Sequence, residues 1–169
     1  MGNSVKRYLP KLIILSGALL VLVAFGVTYF QHPGSLPLPY ALAEVRLHHK
    51  SERAEAVAEF TSLHQQWFPL TSGVVGYYGR EGEATLWVAG APFAWMAGQI
   101  ISDMHIKIAA GNSPFRAIGE QAHKNHTIHK LEGLGQQHFY FQAGHLIVWL
   151  AVEPDLAEAA LAQILEVYR

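Results

Sequence analysis

The chain has 169 residues, 51% of them hydrophobic, and a formal net charge of −1. It contains no cysteine, which excludes disulfides, thiolate nucleophiles, thiolate-ligated zinc and covalently attached c-type haem. Residues 1–31 carry three basic and no acidic side chains, whereas the remainder holds 9 basic against 13 acidic residues. That acidic remainder lacks the positive field a phosphate backbone requires, so nucleic acid is excluded as a partner.

Residues 1–11 contain Lys6, Arg7 and Lys11, and the run from Leu12 to Phe30 that follows is free of charge. As a helix rising about 1.5 Å per residue it reaches roughly 28 Å, close to a hydrocarbon core of about 30 Å. The run therefore reads as a single-pass transmembrane helix, 12–30, in contact with membrane lipid. A secretory signal would have a shorter apolar region, and the only A-x-A, Ala41-Leu42-Ala43, lies well beyond this one. The basic residues precede the span and the next, Arg46, follows it at a distance. Positive-inside asymmetry then places the N-terminus in the cytoplasm and the rest of the chain outside the cell (inner) membrane, periplasmic or extracellular.

Residues 31–50 begin with a proline-rich stretch, Pro33, Pro37 and Pro39, that reads as a semi-rigid spacer. The domain proper is expected over 51–169. Ser51 as N-cap and the spacing of Ala54, Val57, Phe60 and Leu63 predict a helix over about 51–67. The strands Val74–Gly79 and Ala84–Gly90, joined by Arg80-Glu81-Gly82-Glu83, predict a hairpin. Pro92 opens a helix whose apolar stripe runs through Phe93, Met96, Ala97, Ile100, Met104 and Ile108, and Gly111 ends it. Residues 112–130 read as polar and irregular. A second hairpin joins Gln137–Phe141 to Leu146–Val152, and a last helix follows over 154–168.

The two halves match without a gap at an offset of 62: Gly82 on Gly144, Trp87 on Trp149, Pro92 on Pro154 and Tyr78 on Tyr140. The expectation is a duplicated ββα unit, about 73–110 and 135–169. It would build an α+β two-layer domain, an antiparallel sheet of four or five strands with helices on one face.

Among the ten histidines the densest constellation is His123, His126 and His129. On a helix their spacing of three brings the imidazoles together, a pattern suited to Zn²⁺ or Cu²⁺. On a strand His126 would point away from the other two. His138, His145, His48-His49 and Met104-His105 are further donors. No recognisable catalytic constellation is present: no G-x-S-x-G, no H-E-x-x-H and no close acidic pair. Trp95 lies off the buried stripe of its helix and, with His138 and Tyr140 in the aromatic strand, forms the candidate interaction surface. The functional expectation is a non-catalytic, membrane-anchored extracytoplasmic domain, an accessory or assembly subunit of a larger membrane protein complex that needs no cofactor. The alternative is a periplasmic metal- or small-ligand-binding domain using His123, His126 and His129.

Overall fold

The computed structural model describes residues 14–24, 26–28, 32–64, 67–111 and 113–169. The chain divides into two units, Met1–His32 and Pro33–Arg169. In the first, residues 14–24 and 26–28 are helical (α1). Among the described residues no helix is long and apolar enough to cross a membrane. The continuous described stretch, 14–24, covers about 16 Å at the helical rise, roughly half a hydrocarbon core. Residues 12, 13, 25, 29 and 30 of the expected span lie outside the described residues. The expected single-pass transmembrane helix, and the inner-membrane localisation built on it, is corrected accordingly.

The second unit is α+β. Its strands are β1 (Ala41–Leu42), β2 (Val45–Glu52), β3 (Ser72–Tyr78), β4 (Ala84–Gly90), β5 (Arg116–His123), β6 (His126–Gly133), β7 (Gln136–Ala143) and β8 (Leu146–Val152). Its helices are α2 (Ala54–His64), α3 (Ala94–Ala109) and α4 (Ala157–Val167). The eight strands form one antiparallel sheet in the order β1-β2-β3-β4-β8-β7-β6-β5. Because successive side chains alternate between faces, the register sorts the core into two layers. Val74, Val88, Val148 and Phe141 form one row, covered by Ala160, Leu161, Ile164 and Leu165 of α4. Val75 and Trp87 face the other way, against Phe60 of α2 and Ala97 and Ile100 of α3. Helices thus cover both faces, and the expected two-layer arrangement with helices on one face becomes three layers.

The duplication is corrected on the same grounds. Trp87 and Trp149 are indeed direct neighbours across β4 and β8. The two hairpins differ, however: residues 79–83 connect β3 to β4, while only residues 144–145 connect β7 to β8. Loops differing by an odd number of residues exchange the faces of one strand. Tyr78 therefore pairs with Ala84 on the α4 side, while Tyr140 pairs with Trp149 on the α3 side. The two ββα segments share element order, but their first strands turn matching residues to opposite faces of the sheet.

Two further departures arise from weak local signals. The stretch 33–40 is packed rather than a free spacer: Leu36 and Leu38 lie against the core, and Gly34 bridges to Ser72. The Tyr78 hydroxyl donates to the Pro39 carbonyl at 2.9 Å, and that of Tyr168 to the Pro37 carbonyl. Residues 41–52 continue as β1 and β2. The polar stretch 112–130 holds the β5–β6 hairpin, turning at Lys124 with φ 53°. β5 is the exposed edge strand, so it has no buried side to impose an apolar alternation.

Candidate metal centre

The chain leaves β4 near the middle of the sheet and re-enters it at β5, the far edge. Helix α3 makes that crossing and packs over β8, β7 and β5. Its C-terminal half brings His105 above the outer strands. Beneath it, the register lines up Trp149, Tyr140, His129 and Glu120 in one row across β8, β7, β6 and β5.

This row is a stack of rings. His129 lies on Tyr140 with centroids 4.5 Å apart and planes at 15°, and Tyr140 lies on Trp149 at 5.2 Å and 13°. The His105 ring approaches His129 at 5.1 Å, tilted by 47°. His105 Nδ1 is 3.2 Å from the Tyr140 hydroxyl. Tyr140 is fully buried, and burial together with the nearby Glu120 carboxylate pushes its hydroxyl up to about 12, so it stays protonated at neutral pH.

His129 Nδ1 lies 2.8 Å from Glu120 Oε1. The nitrogen is buried and makes no hydrogen bond, and the contact is an ion pair only when the imidazole is protonated. His105, Glu120 and His129 each offer a ligand atom within 4.8 Å of the others, the one such group among the described residues. Tetrahedral bonds of about 2.1 Å put neighbouring donors roughly 3.4 Å apart. The three ligand atoms lie within 4.8 Å of one another and the His129–Glu120 pair at 2.8 Å, so a tetrahedral site needs His105 to close in and Glu120 to open slightly, movements available because both are exposed. Two imidazoles and a carboxylate form the donor set of a Zn²⁺ site with an open fourth position. The group borders a cleft of about 90 Å³ between Ile108, Ala117, Gly119 and Leu131.

The histidines singled out from the sequence are dispersed. Pairing of His123 with His126, and of Glu120 with His129, puts His123 and His126 on the α4 side of the sheet and His129 on the α3 side. His126 Nδ1 faces the Gln142 carbonyl at 2.8 Å, and His123 Nε2 is buried without a hydrogen-bond partner. Only His129 belongs to the centre. His105 is one of the further donors the sequence offers, and Glu120 is not among them. The signal for it is the hairpin register: a turn at Lys124-Asn125 sets Glu120 opposite His129.

Of the proposed interaction residues, Trp95 is 70% exposed and stacks on exposed Phe93 at 6.2 Å. His138 and Tyr140 are buried. His138 sits under Phe115, accepting at Nδ1 from the Trp149 indole N–H (3.2 Å) and donating from Nε2 to the Gly133 carbonyl (3.0 Å). These partners fix one neutral tautomer. Burial holds the imidazole below its ordinary value, the Gly133 carbonyl opposing the shift.

No protein-family model matches the chain, and neither a curated protein nor a solved structure matches it.

Proposed function

We propose that the domain 33–169 binds a divalent transition-metal ion, Zn²⁺ by preference, through His105, Glu120 and His129. The reading rests on the His129–Glu120 pair. Two ligand atoms lie 2.8 Å apart, and one of them is a buried nitrogen with no hydrogen bond that coordination to an ion beside the pair would satisfy. His105 approaches the same point from above and completes a three-donor face. The donor types match a borderline-soft ion, which takes imidazole and carboxylate together. Equilibrium dialysis against Zn²⁺, followed by metal analysis, tests the proposal. One ion per chain is expected, lost in His105→Ala, Glu120→Ala and His129→Ala but kept in a His123→Ala/His126→Ala variant. Retention by all three single variants, or no binding by the wild type, rejects it.

A second reading, an accessory domain that binds protein, is supported by the exposed Phe93–Trp95 stack, since a large paired aromatic surface favours a partner. Its test is a partner recovered in stoichiometric amount with the wild type and lost with Trp95→Ala; recovery unchanged by that substitution rejects it.

A further inference from the structure

We infer that Tyr140 is the positioning residue of the centre, holding both histidines in the orientation that binds metal. The inference rests on the metal reading above and extends it to the choice of ligand atom. Tyr140 touches both imidazoles in different ways. Its ring lies flat under His129, 4.5 Å away and 15° from parallel, so His129 can neither flip out nor tilt without losing the stack. Its hydroxyl meets His105 at Nδ1, 3.2 Å away. Tyr140 itself is immobilised: it is fully buried and backed by Trp149 at 5.2 Å.

The consequence for His105 is a defined tautomer. A histidine ligating through one ring nitrogen carries its proton on the other, and that N–H needs an acceptor. With Nδ1 facing the Tyr140 oxygen, His105 donates Nδ1–H to the hydroxyl and presents Nε2 to the ion. The consequence for His129 is the opposite tautomer. Its Nδ1 is the atom beside Glu120, so it ligates through Nδ1 and carries the proton on Nε2. One buried tyrosine thereby serves two ligands of opposite tautomer.

Partners of this kind, once removed, typically weaken metal affinity by about 10- to 100-fold. Tyr140→Phe keeps the ring and deletes only the hydroxyl. Zn²⁺ affinity, measured by competition with a chromophoric chelator, is expected to fall about 10- to 100-fold in this variant. The melting temperature of the metal-free protein monitors the fold alongside. Two-bond ¹H–¹⁵N spectra of the zinc-loaded wild type should show His105 bound through Nε2 and His129 through Nδ1, with the His105 pattern altered in Tyr140→Phe. The His123→Ala/His126→Ala variant alters the opposite face of the sheet and neither ligand, so it should keep the wild-type affinity. The inference is overturned if zinc binds wild type and Tyr140→Phe alike, if His105 binds through Nδ1, or if the His123→Ala/His126→Ala variant weakens binding as much as Tyr140→Phe. Wild-type protein that binds no zinc would sink the metal reading itself, a result distinct from these.

Discussion

His138 supplies a pH-dependent contribution to stability whose sign follows from its partners. At 3% exposure, its Nδ1 accepts from Trp149 while Nε2 donates to Gly133. A proton added at Nδ1 would confront the indole N–H, so the folded protein keeps this ring neutral, below the ordinary 6.5. Unfolding releases it to titrate near 6.5. Below that pH the unfolded chain binds a proton that the folded chain refuses, so stability falls as pH falls. The contribution is present above 6.5 and is lost from there down to the folded value. The slope is at most about 1.4 kcal/mol per pH unit, giving a loss of up to about 1.4 kcal/mol between pH 7.5 and 5.5. His138→Gln removes the titration while its amide retains an acceptor for Trp149 and a donor for Gly133. Urea unfolding at both pH values, with EDTA to remove any metal-linked effect, should show a smaller acid-induced loss in the variant. Equal losses in the two proteins would refute the assignment of a buried, neutral His138.

Three other outcomes follow from specific contacts. Tyr78→Phe removes the donor to the Pro39 carbonyl inside the core and should cost about 1 kcal/mol in urea unfolding, loosening the 33–40 strap. Gly133→Ala should destabilise by about 1–3 kcal/mol, because the added Cβ would lie 2.7 Å from both the Phe115 ring and the Pro114 carbonyl, one of them rigid backbone. Thermal unfolding read by near-UV circular dichroism is the check. Zn²⁺ at 100 times its dissociation constant should stabilise the wild type by about 2.7 kcal/mol and leave His129→Ala unchanged. Equal stabilisation of both would place the bound ion elsewhere.

The parts of this fold that the sequence made legible are those whose period was imposed by burial on one or both sides. β3, β4, β7 and β8 occupy the middle of the sheet and carry continuous apolar runs, and α3 and α4 show one apolar stripe each. The edge was illegible for the same reason inverted. β5 is exposed almost throughout, so Arg116–His123 carries no alternation, and β6 offers only Ile128 and Leu131 to the core. Since the centre lies on β5 and β6, its recognition depended on a hairpin with little hydrophobic signature. Periodicity also gave a false equivalence. Tyr78 and Tyr140 match in sequence, yet a five-residue connection in one hairpin and a two-residue connection in the other send them to opposite faces. Identity at matching positions records side-chain type, whereas loop length decides the face. His105 needed tertiary information of another kind, since only the crossing of α3 towards β5 brings it above His129.

Nineteen uncharged residues satisfy a length criterion for spanning, yet no described helix is long and apolar enough to do so. The C-terminal unit owes nothing to that reading: its sheet, its two apolar layers and its histidine–glutamate face stand within 33–169.

Anomalous diffraction at the zinc edge, from crystals grown with one equivalent of Zn²⁺, examines the metal centre most directly. The account predicts a single strong peak about 2.0–2.2 Å from a ring nitrogen of His105, a ring nitrogen of His129 and a carboxylate oxygen of Glu120. A peak at His123 and His126 instead, or none within bonding distance of Glu120 and His129, would contradict it.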